Sequence, residues 1–183
     1  LSLRRQRQMC IRDSFTPELA ASLTNLANRL AGLRHGEEAL AVAREAAGLL
    51  RGLADKRPDV FRSDLAASLS NLANRLGFAG ERKEALAVAQ EAVDLGRVLA
   101  ATRSDTLEAE LAASLGNLAV WLDASGRQQD ALAAAREAVE RYRGPAARHP
   151  DVFAPSLARS LVVLGDRLAR DGQAGAAVAS LRE

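Results

Sequence analysis

Between Leu65 and Leu99 the apolar residues fall at steps of three and four: Leu65, Leu69, Leu72, Ala73 and Leu76, then Ala85, Leu86, Ala89, Ala92 and Val93, continuing to Leu95 and Leu99. That spacing places one apolar stripe on each of two successive helices, with polar residues on the opposite sides. Gly80 stands between the runs, where a left-handed residue closes a helix, and Gly126 and Gly172 repeat it. Pro58-Asp59 and Pro150-Asp151 punctuate the pattern. Proline cannot continue a helix interior, and the aspartate carboxylate is expected to accept from the free N–H groups at the next helix start.

The helix pair is itself repeated. "FTPELAASLTNLANRL" begins at Phe15, "FRSDLAASLSNLANRL" at Phe61, "LEAELAASLGNLAVWL" at Leu107 and "FAPSLARSLVVLGDRL" at Phe153, a spacing of 46 residues each time. Residues 15–60 and 61–106 share 26 of 46 positions without a gap, so the unit is duplicated. The expected organisation is an array over 15–183 with units 15–60, 61–106 and 107–152 and a truncated fourth, 153–183. Small residues recur at fixed places: Ala27, Ala73, Ala119 and Gly165 in the first helices, and Ala39, Ala85, Ala131 and Ala177 in the second. A side chain no larger than methyl lets helix axes approach to about 8 Å.

At these residues the chain resembles the tetratricopeptide repeat family. "NLANRLGFAGERKEALAVAQEA", Asn71 to Ala92, is similar to that family's core of Leu-small, Leu, Gly, Ala-Leu and a final Ala. The family's usual unit is about 34 residues, so a 46-residue unit implies longer helices, as in kinesin light chain and many large bacterial signalling proteins. The resemblance implies an all-α, right-handed superhelical solenoid of antiparallel helix pairs, whose first helices line a concave groove. Three departures stand out. Gly36, Arg82 and Gln128 occupy the place of an aromatic, Arg34 stands where the other units have Gly, and Gly144-Pro145 is expected to end or kink a second helix early.

The opening segment reads differently. "RRQRQMCIRD", residues 4–13, looks like a basic arm, yet it can be written in codons that resemble a transposase-end sequencing adapter, and Met9, Cys10 and Ile11 are the only Met, Cys and Ile in the chain. Residues 1–14 are therefore expected to be non-native and are set aside. Arg4, Arg5, Arg7 and Arg12 against Asp13 carry +3 of a formal total of +2, which leaves 21 basic and 22 acidic residues from Phe15 onward, net −1. No electrostatic case for nucleic acid or an anionic membrane survives that subtraction. The remainder contains no Cys and no Met and stops partway through a unit, so an internal piece of a longer protein, cytoplasmic in location, is expected.

Candidate chemistry is confined to polar residues on the first helices. Asn28, Asn74, Val120 and Asp166 are expected to face the groove, with Thr24, Ser70, Gly116 and Val162 one turn earlier and Asn25, Asn71 and Asn117 beside them. An Asn amide donates and accepts at once, which suits it to gripping peptide backbone; the competing reading is local bonding within the helix. In the fourth unit Arg159, Asp166 and Arg170 replace Ala and Asn, and Arg is suited to a carboxylate. Trp121, the only Trp, stands where the other units have Arg29, Arg75 and Arg167, and is expected to pack over a neighbouring helix. His35 and His149 are isolated, and neither a metal site nor a catalytic constellation is expected. The expected function is a non-enzymatic module, without cofactor, that binds a protein or peptide in its groove. The alternative is a sensor or autoinhibitory arm of a larger NTPase or peptidase.

Overall fold

The computed structural model describes residues 2–101 and 104–182, with side chains from Phe15 onward except Ser180 and Leu181. The reading of residues 1–14 as a non-native segment lies outside the described side chains. Among the described residues the fold is wholly helical: α1 (Ser2–Gly32), α2 (Gly36–Lys56), α3 (Pro58–Phe78), α4 (Arg82–Ala100), α5 (Asp105–Ala124), α6 (Gln128–Arg148), α7 (Pro150–Arg170) and α8 (Ala174–Arg182). None of these helices is long and apolar enough to cross a membrane.

Each helix packs against the next, and the first helices of successive pairs also touch, α1 on α3, α3 on α5 and α5 on α7, whereas no second helix approaches another as closely. The first helices are thus the tighter row. In a stack of paired helices the row that packs closer lies on the inner side, which makes α1, α3, α5 and α7 the concave side and α2, α4, α6 and α8 the convex side. Leu65, Leu69, Leu72, Ala73 and Leu76 of α3 are all buried, as are their counterparts Leu111, Leu115, Leu118, Ala119 and Leu122 of α5. Burying one such leucine stabilises by about 1.5–3 kcal/mol. Ala27, Ala73, Ala119 and Gly165 are buried, and so are Ala39, Ala85, Ala131 and Ala177, which places every expected small residue in a seam.

The turns are alike. Gly80, Gly126 and Gly172 have φ of +86°, +79° and +76°, and Arg34 keeps the same left-handed conformation at +65°. In each, the N–H one residue later reaches back to a helix carbonyl, His35 to Leu30, Glu81 to Leu76, Arg127 to Leu122 and Gln173 to Leu168, all at 2.9 Å. The bond pattern holds the backbone, so at Arg34 a residue with a Cβ accepts roughly 1–2 kcal/mol of strain.

Two local expectations are corrected. Asp59 and Asp151 are not caps. Arg57 and His149 hold the cap positions without a side-chain bond, Pro58 and Pro150 open the helices, and the aspartates fall inside the first turn, where their charge complements the helix dipole. Nor does Gly144-Pro145 end α6, which runs on to Arg148 with Pro145 buried. Gly144 has no Cβ to clash with the proline ring, so the residue before Pro keeps its helical conformation. The turn then closes normally, His149 N–H donating to the Pro145 carbonyl at 2.8 Å.

Candidate functional site

Two cavities lie along the concave side. One, about 210 Å³, is walled by α3 and α5 over a floor of α4, and is lined by Ser70, Asn71, Gly96, Glu110, Ser114 and Asn117 among others. The second, about 370 Å³, is walled by α5 and α7 over α6, and is lined by Asn117, Val120, Tyr142, Ser156, Arg159 and Val163 among others. Ala113 and Asn117 belong to both, so the cavities form one continuous furrow.

The sequence-expected residues divide into three groups. Asn71, Asn117 and Arg159 line the furrow. Asn25, Asn28 and Asn74 line neither cavity: Asn25 and Asn28 are exposed on α1, and Asn74 is half-buried one turn beyond Asn71. Asp166 and Arg170 are engaged with each other at 3.0 Å, and Arg170 also holds Asp123 at 3.0 Å, so that guanidinium is already committed within the chain. Local bonding is not what occupies the asparagines. None of the five Asn side chains, nor that of Arg159, has a hydrogen-bond or ion-pair partner among the described residues.

Polar residues of the convex side are, by contrast, largely paired. Arg44 holds Glu84 at 2.8 Å, Arg51 holds Glu91 at 2.7 Å and Arg97 holds Glu137 at 2.8 Å, each pair bridging consecutive second helices, and Arg44 also holds Glu81, the cap residue before α4, at 2.6 Å. The hydrogen bonds to Glu81, Glu91 and Glu137 raise the pKa of the three guanidinium groups further above their ordinary value. The pattern keeps the 46-residue register, Arg51 to Arg97 and Glu91 to Glu137.

Tyr142 is the furrow residue that the sequence reading missed. It is the only Tyr, buried at the base of the larger cavity against Ala109 and Ala112. Burial pushes its phenol pKa up, an effect opposed by hydrogen bonding to Ser156 and by the charge of Arg159. The signal was present in the register, because Tyr142 stands where the preceding second helix has Gly96. Trp121 packs as expected: it is 8% exposed, its ring lies against Gly77, and it meets the Phe78 ring edge-on at 6.2 Å. Among the described residues no cluster of His, Cys, Asp and Glu is arranged to hold a metal ion.

The tetratricopeptide repeat profile matches residues 19–51, 65–100 and 111–144, more than half of the chain. The chain belongs to the tetratricopeptide repeat family. A search of curated protein sequences finds no match. Among solved structures, the apo form of RapI aligns with a TM-score of 0.71 and 16% identity over 91% of this chain and 42% of its own. BtubC (BKLC) from P. vanneervenii aligns with a TM-score of 0.71 and 16% identity over 91% of this chain and 62% of its own. Aspartyl phosphate phosphatase F from Bacillus subtilis gives 0.68 and 15% over 89% and 38%. These likenesses share the helical-repeat fold, and the chain spans about two-fifths to three-fifths of the three proteins' length.

Proposed function

We propose that this tetratricopeptide array is an interaction module that holds an extended segment of a partner protein along the furrow between α3, α5 and α7. One observation supports the reading: Asn71, Asn117 and Arg159 line the furrow with no partner among the described residues, although the serines and Glu110 beside them are hydrogen-bonded within the chain. Asn71 and Asn117 occupy matched positions one unit apart, so two amides meet successive stretches of one chain and each both donates and accepts. Val120, which is 41% exposed, and Val163 supply apolar contact beside them.

The reading is tested with peptides selected against the chain from a random display library, their affinity followed by fluorescence anisotropy. Each lost amide contact is worth about 0.5–1.5 kcal/mol, so Asn71→Ala with Asn117→Ala is expected to weaken binding about tenfold or more, with helicity unchanged. Arg97→Ala on the convex side serves as control. Equal affinity for the double variant, or equal losses from Arg97→Ala, overturns the furrow as the binding surface.

A further inference from the structure

The two cavities of the furrow are built from matched positions, yet their chemistry is opposite. Glu110 lines the smaller cavity, where its carboxylate accepts from Ser63 Oγ at 3.1 Å. The residue 46 positions later, at the corresponding place in the larger cavity, is Ser156. Ala67 and Ala113 of α3 and α5 give way to Arg159 of α7, and Gly96 of α4 gives way to Tyr142 of α6. One acid is lost while one base and one phenol are gained, so the sign of charge inverts along the furrow. The floor changes shape as well. A Cβ on Gly96 would stand 3.1 Å from Leu111 Cδ1, so α4 and α5 are closely apposed there, whereas at the matched place the Tyr142 side chain lies beneath a cavity nearly twice as large.

We propose that the cavity between α5, α6 and α7 is a pocket for a single carboxylate, and that its occupant is a glutamate or aspartate side chain in the interior of the partner segment. This inference rests on the reading of the furrow as the binding surface. Arg159 is a cation without an acidic partner among the described residues, and it stands over a mainly small and apolar wall that includes Ala112, Ala135 and Ala138. A guanidinium beside such a wall finds no acceptor there and gains from an anion that brings acceptor oxygens. Tyr142 and Ser156 share one hydrogen bond, which leaves one hydroxyl proton of the pair to donate, Asn117 adds its amide, and no carboxylate lines the cavity to compete. The furrow continues past Asn117 into the next cavity, so a segment whose backbone runs along it can send an acidic side chain to Arg159, and the free-terminus probe below tests the other seat.

The test uses the whole chain, with the ring resonances of Tyr142 as a single-residue reporter, since the sequence holds no other Tyr. Three probes are titrated: acetyl-Ala-Ala-Glu-Ala-Ala-amide, the same peptide with Gln for Glu, and acetyl-pentaalanine with a free carboxyl terminus. Side-chain amide signals of Asn71 and Asn117 are followed in parallel. A charge-assisted hydrogen bond is worth enough to separate the Glu from the Gln peptide by about tenfold. The expected result is a saturable Tyr142 shift for the Glu peptide at least that much tighter, lost in Arg159→Gln and weakened by salt. Arg159 is exposed, so the variant keeps its fold, checked by helicity. Equal response to Glu and Gln peptides overturns the carboxylate pocket, and if the Asn amides still shift the furrow reading survives. A response confined to the free terminus overturns the interior seat. Silence of Tyr142 and of both Asn amides with all three probes takes down the furrow reading and the pocket together.

Discussion

The convex and concave sides of this stack are made from the same repeat and differ in how completely they pair their polar residues. On the convex side, Arg51 and Arg97 reach across to Glu91 and Glu137 of the next second helix. On the concave side, Asn71, Asn117 and Arg159 reach nothing within the described chain. Distance explains the difference. Where the first helices touch, short ties suffice, Ser63 to Glu110 and Ser70 to Ser114, with Arg170 to Asp123 toward the helix ends; where the second helices stand apart, long guanidinium groups span the gap. The polar groups thus sort into ties between helices, present on both sides, and unbonded side chains along the furrow, which the proposed function reads as contacts for a partner.

The contrast is broken most strongly at the seam that creates it. A Cβ on Gly77 would stand 1.9 Å from the Trp121 ring, and that ring is buried between α3 and α5 with little room to turn. Gly77→Ala is expected to destabilise by about 1–3 kcal/mol, the usual cost of overpacking, as measured by chemical denaturation. Trp121→Leu introduced together with it should recover part of that loss by making room. If the single substitution is neutral, α3 and α5 are not held at the distance on which the curvature depends.

The repeat, the helix pairs and the buried small residues were legible because their spacing is physical: a period of three to four places Leu65, Leu69, Leu72 and Leu76 on one side whatever the tertiary context. The left-handed turn residues were legible through Gly80, Gly126 and Gly172, and Arg34 was not, since its conformation is imposed by the surrounding bonds rather than by its own preference. Pro145 misled for a related reason, the accommodating feature being the missing Cβ of Gly144 and the burial of the ring. Within the furrow, Asn71, Asn117 and Arg159 were read from their type and place. Tyr142 was missed because a lone aromatic in an alanine-rich second helix looks like core, and its role emerges only when the α7 wall is placed opposite it. Asp166 and Arg170 carried the right chemistry, but residues four apart on one helix also meet each other, and here they do.

A smaller and more discriminating effect separates the two sides directly. Arg97→Ala removes a partly exposed tie and should cost about 0.2–1 kcal/mol, fading as salt is raised. Asn117→Ala removes a side chain with no hydrogen bond among the described residues and should leave the denaturation midpoint within error. A stability loss at Asn117 equal to that at Arg97 would mean that the concave amide has a structural partner after all, and the sorting of ties from contacts would fail.

The smallest effect lies at the rim, where Asp105 opens α5 beside the end of α6. Its carboxylate is held by Arg148 through Nε at 2.9 Å and by a second bond from Nη2, with His149 Nε2 at 3.5 Å. The hydrogen bonds from Arg148 lower its pKa below the ordinary carboxylate value, burial opposes them, and the charges of Arg148 and His149 add to the lowering. A carboxyl whose pKa is lower in the folded than in the unfolded chain stabilises fully above its unfolded value of about 3.9. That contribution is lost as pH falls through the folded value, because the unfolded chain then binds the proton more readily. The melting temperature followed from pH 6 down to pH 2 should therefore fall more steeply for the parent than for Asp105→Asn, which has no proton to take up at this site. Asn71→Ala, drawn from the concave side, should keep the parent's slope. If Asp105→Asn runs parallel to the parent through the acid range, the rim pair is a surface contact that contributes nothing to acid sensitivity, and the ties that matter are confined to the second helices.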